Sequence, residues 1–172
     1  MIAQLTRHNR NPLSLLALLI FVGACGSAPP VDQRYSNRHA YPSSEPAPQF
    51  SSVGERAVSI AVAQIGVPYR YGGQAPSGFD CSGLVHYSYL RAGKSIPRTT
   101  GQLWKNANTV QPSEMQAGDL LFFSINGKMQ HVGMYIGDDQ FVHAPSTGKH
   151  VQVASLDSDF YQNALLRAGR PR

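Results

Sequence analysis

The sequence predicts one α+β domain in which helices come first and an antiparallel sheet follows. Two patterns carry this: apolar residues at helical spacing between residues 52 and 106, and two-residue alternation in short runs from Gly118 onward. A third observation sets the scale, because 172 residues with 42% hydrophobic content suit a single core of ordinary size.

The beginning is expected to lie outside that domain. Arg7 and Arg10 precede the apolar run "LSLLALLIFV" at residues 13–22, which is half of the roughly 20 residues a membrane span needs. This reads as a signal peptide over residues 1–24, ending in "VGAC" with small residues before Cys25. The pattern resembles the lipobox of bacterial lipoproteins, which implies lipidation of Cys25. Gly26 rather than Asp follows it, favouring by that resemblance an outer-membrane anchor facing the periplasm. The alternative is plain secretion with Cys25 as a leftover thiol. Residues 25–51 hold Pro29, Pro30, Pro42, Pro46 and Pro48 among Ser, Asn and Gln with few aliphatics, the composition of a tether.

The domain is expected over residues 52–172. Ser52 and Glu55 have capping-box spacing, and Ala57, Ile60, Ala61 and Ile65 recur at helical intervals until Gly66 and Pro68. After the turn-rich "YRYGGQAPSG", a second helix starts at "DCSG" with Leu84, Val85 and Tyr89 on one side and Gly93 as its stop. A third, shorter helix is expected over Thr100 to Asn106. Strands follow at "DLLFFS", "HVGMYIG", "QFVHAP" and "HVQVAS", with a turn at Asn126 and Gly127. Alternation sets Val132, Met134 and Ile136 on one face and His131, Gly133 and Tyr135 on the other. His143 shares a face with Phe141.

The charge distribution gives nucleic-acid binding little support. Without residues 1–24 the chain keeps 13 basic and 10 acidic residues, a formal charge of +3, with neither a basic run nor interleaved aromatics.

Cys81 is the residue that asks for an explanation. If Cys25 is lipidated it has no disulfide partner, and an odd thiol in an oxidising compartment reads as reactive. It lies where the second helix begins, and unpaired amides there favour a negative sulfur. A thiol nucleophile also needs a fixed imidazole. His8 leaves with the signal, His39 lies in the tether, His86 is about 140° around the same helix, and His150 starts an exposed-looking strand. His131 and His143, each within an apolar strand, remain as base and orienting partner. The bland readings are a core cysteine and hydrogen-bonded strand histidines. A zinc site from the same three residues is the other reading, but no C-x-x-C or H-x-x-x-H pair supports a metal, and no cofactor is implied.

The pieces "VPYRYGG", "GFDCSGLV", "IPRTT", "AGDLLFF", "HVGMYIG" and "FVHA", in this order, resemble the NlpC-type papain-like peptidoglycan endopeptidases from Ser52 to the C-terminus. The resemblance implies a papain-like fold and a catalytic triad of Cys81 as nucleophile, His131 as base and His143 as its orienting partner. Tyr69 matches the family tyrosine that joins the Cys81 amide in binding the oxyanion. Asp80 and Ser82 match positions that in some relatives hold the stem peptide's amino end, or they shape the helix start. Arg98 contacts a substrate carboxylate or braces a loop. The implied partner is peptidoglycan peptide, cleaved by a monomer. No wall-binding domain precedes this one, which by the same resemblance leaves the groove open to polymeric wall. The scissile bond stays open between D-Glu to diamino acid and D-Ala to diaminopimelate.

Overall fold

In the computed structural model, which describes residues 49–172, the first helix, α1 (Val53–Val62), starts where the sequence marks it. Ser52 Oγ accepts from the Glu55 amide at 3.1 Å, and the Glu55 carboxylate accepts from the Ser52 amide at 3.3 Å. The helix stops earlier than its apolar spacing suggested. Ala57 and Ala61 are buried, but Ile65 is 49% exposed, because turns from Ala63 to Gly66, where φ is +91°, unwind the chain first. The signal peptide, Cys25 and the tether to residue 48 lie outside the described residues.

From Gly66 the chain runs extended. Its amides at Gly66 and Tyr69 donate to the carbonyls of Val151 and Lys149 at 3.0 and 2.8 Å. The turn-rich stretch then contains a small hairpin, β1 (Gln74–Ala75) with β2 (Gly78–Phe79), too short for any alternation to announce it. Helix α2 (Cys81–Arg91) follows, burying Leu84, Val85 and Tyr89 as their spacing requires, and then α3 (Thr100–Lys105).

Six strands form one antiparallel sheet: β3 (Ala107–Val110), β4 (Leu120–Ile125), β5 (Lys128–Gly137), β6 (Gln140–His143), β7 (Gln152–Ser155) and β8 (Leu165–Pro171), in the order β3-β8-β4-β5-β6-β7. Sequence reading finds β4 to β7 and misses β3 and β8. It also misses α4 (Asp159–Ala164), which comes just before β8. The last of the four strands it finds starts at Gln152, whereas His150 makes only an isolated bridge to Pro68.

Both faces of the sheet are covered. Leu120, Phe122, Val132, Met134 and Val142 pack with the α1 to α3 side chains, while Leu121, Phe123 and Phe141 pack with Ala164 of α4 and with Leu156 and Ala168. The alternation read in β5 is therefore present, but with apolar partners on both sides. Gly133 lies in that strand because a Cβ there would fall 2.5 Å from the Phe141 ring.

One irregularity interrupts the ladder between β4 and β5. Phe123 pairs with His131 and Ser124 with Met129, so Gln130 is an extra residue without a partner on β4.

Helix α2 is seated tightly at its start. Asp80 is its N-cap, and its Oδ1 accepts from the Gly83 amide at 2.6 Å. A Cβ on Gly83 would lie 1.9 Å from the Gly73 carbonyl oxygen, a backbone atom that cannot swing aside. Gly83→Ala should therefore lower stability by about 1–3 kcal/mol or more, the scale of an overpacked site. Chemical denaturation checks this, and a variant as stable as the wild type would show that the start of α2 can shift freely.

Candidate active site

Cys81, the first residue of α2, projects into a cleft of about 370 Å³ that it shares with Tyr69, Gln130, His131, His143, Lys149, Phe160 and Tyr161. Its Sγ is 3.7 Å from the Gln130 carbonyl oxygen and 3.8 Å from Thr100 Oγ1. The carbonyl that receives the thiol is thus that of the bulged residue in β5. A second hollow, of about 600 Å³, continues on the other side of Tyr69, Cys81 and Gln130 and is lined by Asp80, Ser82, Arg98 and Thr100.

His131 Nε2 lies 2.8 Å from His143 Nδ1, a bond that joins the start of β5 to the end of β6. His143 is 1% exposed and His131 7%. Around them stand Phe123, 5.9 Å from the His131 ring, and Phe141, 4.9 Å from the His143 ring. With Nε2 engaged by His143, Nδ1 is the His131 nitrogen left for a proton.

Tyr69 is held by its backbone, which donates to Lys149 and bridges to Phe79. Desolvation, then the nearness of Cys81 and Asp80, raises its pKa, so the phenol remains a donor.

Asp80, Ser82 and Arg98 form one network. The Arg98 guanidinium donates to both Asp80 oxygens at 2.9 and 2.8 Å, to Ser82 Oγ at 2.9 Å, to the Gly73 carbonyl at 3.0 Å and to Gln74 Oε1 at 3.0 Å. Each Arg98 nitrogen is engaged within the chain, the arrangement of a brace on the loop before α2. Among the described residues, no three His, Cys, Asp or Glu side chains are grouped to hold a metal ion.

Residues 66–170, from the turn after α1 to the end of the sheet, match the NlpC/P60 family. The chain belongs to that family. It is 42% identical over 120 residues to a murein DD-endopeptidase, MepH, of Escherichia coli, covering 66% of this chain and 44% of that protein. To a gamma-D-glutamyl-L-lysine dipeptidyl-peptidase of Bacillus subtilis it is 35% identical over 128 residues, covering 73% and 43%. The crystal structure of an NlpC/P60 family protein from Bacillus cereus superposes with a TM-score of 0.65 at 32% identity, over 73% of this chain and 41% of that one. The helices packed on an antiparallel sheet are the papain-like arrangement of these structures. The chain thus spans less than half the length of these relatives.

Within this NlpC/P60 domain, sequence reading missed Lys149, Phe160 and Tyr161 as cleft residues. For Phe160 and Tyr161 the early signal is Ser158, which caps α4: its Oγ accepts from the Tyr161 amide at 3.4 Å. Six residues of helix are too few for a periodicity to show.

Burial governs the protonation of this site. It raises the Cys81 thiol above its ordinary value, a rise that the hydrogen bond from Thr100 opposes. It lowers His131 to about 4, and His143, with His131 and Lys149 adding repulsion, to about 3. Each charged form is disfavoured by itself, so the resting pair is thiol and neutral imidazole.

The same shifts set a pH dependence. Unfolded histidines bind protons near pH 6.5, whereas the folded pair does not until about 4 and below. The unfolded state therefore gains protons first as pH falls, and stability should drop between about pH 6.5 and 4.5, above the range in which carboxylates titrate. Denaturation midpoints across that window check it. A variant with Gln at both His131 and His143 should show a flatter profile, and equal slopes would refute the buried neutral pair.

Proposed function

We propose that this chain is a cysteine endopeptidase that hydrolyses peptide bonds in peptidoglycan through a thioester acyl-enzyme. The observation that carries the reading is the cleft in which the helix-start Cys81 meets the hydrogen-bonded pair His131–His143. In the forward step Cys81 Sγ passes its proton to His131 Nδ1 and attacks the carbonyl carbon. The developing oxyanion is met by the Cys81 amide, one of the unpaired donors of the first turn, and by the Tyr69 hydroxyl. The C–N bond breaks as His131 returns the proton to the leaving nitrogen. Water, deprotonated by His131, then cleaves the thioester and restores the thiol.

This chemistry orients the substrate. The leaving nitrogen must sit beside the general acid, hence on the side of the cleft with His131, Lys149 and Phe160. The acyl portion then occupies the side with Asp80, Ser82 and Arg98. Lys149 and Phe160, which is 61% exposed, suit a leaving group with a carboxylate and an aliphatic stem, as a diamino acid has. Asp80 and Ser82 suit an amino end on the opposite side. The relatives named a murein DD-endopeptidase and a gamma-D-glutamyl-L-lysine dipeptidyl-peptidase support peptidoglycan as the substrate, cut at a D-Ala to diaminopimelate crosslink or at a D-Glu to diamino acid bond.

Digestion of purified crosslinked peptidoglycan, followed by mass spectrometry of the new termini, tests both the reaction and the bond. Cys81→Ala should release nothing, and Tyr69→Phe should slow release by about 10²–10³ if its hydroxyl meets the oxyanion. Release by folded Cys81→Ala would sink the reading.

The setting proposed for this activity is the periplasmic face of the outer membrane, with the protein monomeric and held by lipid on Cys25. It rests on "VGAC" followed by Gly26 and by a proline-rich tether. Cys25→Ser should move the protein from the membrane fraction to the soluble one. A variant that still sediments with outer membranes would rule out anchoring through this residue.

A further inference from the structure

The two hydrogen bonds made by His143 carry more than orientation. A neutral imidazole has one N–H and one lone pair, so within a chain of imidazoles each bond dictates the direction of the next. His143 Nδ1 faces His131 Nε2 at 2.8 Å, and His143 Nε2 faces the Tyr161 hydroxyl at 3.4 Å. Only two arrangements of protons are consistent with both. In the first, Tyr161 donates to His143 Nε2, His143 Nδ1–H donates to His131 Nε2, and the proton of His131 resides on Nδ1. That form has no lone pair for the thiol proton. In the second, His143 Nε2–H donates to the Tyr161 oxygen, His131 Nε2–H donates to His143 Nδ1, and His131 Nδ1 is free to accept. Only the second is a base.

We propose that Tyr161 is a positioning residue whose hydroxyl oxygen supplies the acceptor without which the base-competent tautomer of the two histidines leaves a buried N–H unpaired. Among the described residues, no other side chain hydrogen-bonds to His143 Nε2. Phe141 and the Tyr161 ring itself, 4.9 and 5.6 Å from the His143 ring, are its aromatic neighbours. The tyrosine is well held: its ring stands edge-on to Phe141 at 4.9 Å and to Phe123 at 5.4 Å, and its amide is capped by Ser158. Burial raises its pKa, so it remains a neutral phenol that can turn its own hydrogen toward the cleft. Phenylalanine at this position would preserve the ring packing and delete the hydroxyl, its acceptor oxygen and its O–H together. The base-competent tautomer would then leave His143 Nε2–H unpaired, whereas the opposite one leaves only a lone pair unmet, the smaller loss, so the unproductive tautomer would gain population.

The inference rests on the peptidase reading for its kinetic consequence but not for its physical one. The experiment therefore has two readouts on the full chain. Long-range ¹⁵N NMR of the imidazoles should show His131 and His143 both protonated on Nε2 in the wild type, and a mixture including Nδ1–H forms in Tyr161→Phe. Hydrolysis of defined muropeptides by Tyr161→Phe should show kcat lower by about 10-fold with KM unchanged. In a His143→Gln background, the further change Tyr161→Phe should have no added effect, since the tyrosine acts through His143. Wild-type tautomers on Nδ1, an unchanged kcat, a loss confined to KM, or additive effects with His143→Gln would each overturn the proposal. A wild type that hydrolyses no muropeptide would overturn the peptidase reading instead, and the NMR result alone would then decide the role of Tyr161.

Discussion

The placement of Cys81 depends on one carboxylate. Asp80 accepts from the Gly83 amide at the start of α2 and from the Gly72 amide in the loop before it, while its two oxygens receive the Arg98 guanidinium. An N-cap alone contributes about 1 kcal/mol, yet this one also ties three segments together at a point where only glycine at 83 lets them approach. The arrangement has an electrostatic cost. Asp80 raises the neighbouring thiol's pKa by repulsion, although less than burial does. Arg98 lies against the same carboxylate and offsets that field, so the helix gains its cap without a bare negative charge beside the sulfur.

Burial on the other face of the sheet explains the state of the histidines. Phe123, Phe141 and Tyr161 enclose them, and an imidazolium by itself is costly in such surroundings. A buried thiolate is costly for the same reason. In the proposed reaction, proton transfer from Cys81 to His131 creates opposite charges together in one cleft, where their attraction offsets part of the cost that each charge alone would carry. A base lowered in this way returns its proton readily, which is the property that expulsion of an amine requires.

Much of this was legible in the sequence because it depends on local rules. The capping box at Ser52 and Glu55, the cap at Asp80 and the alternation through β5 each place their residues within a few positions of the chain. What the sequence left unread depends on distant partners. The strands β3 and β8 pair with each other across about sixty residues, and Ala107 and Gly169 are small because the strands lie close, not because a period repeats. Ile65 kept the helical interval yet lies outside α1, since spacing alone does not register the turn at Gly66. Arg98 could be read equally as a substrate contact or a brace. Only its five donor contacts place it on the bracing side. Tyr161 belongs to a helix of one and a half turns, and its meaning comes from His143, eighteen residues earlier.

The location of the cleft follows from a conflict that the sheet must resolve. Helix α2 packs on the face that bears Val132 and Met134, whereas His131 projects with Phe123 and Phe141 on the opposite face. Cys81 and the His131 imidazole therefore cannot face each other across the middle of a regular sheet. They can meet only at its end, where β4 finishes, β5 begins and β6 finishes, and where the unpaired Gln130 bends β5 so that its carbonyl reaches the thiol. The consequence is that much of the cleft wall comes from connections: Asn126 in the turn between β4 and β5, Ser146 and Lys149 after β6, and Phe160 before β8. Strands and helices hold the sulfur and the two imidazoles rigidly, while segments that can vary in length and composition without disturbing the core contact whatever enters. A change of specificity in this fold can thus be confined to these connections and leave Cys81, His131 and His143 where they are.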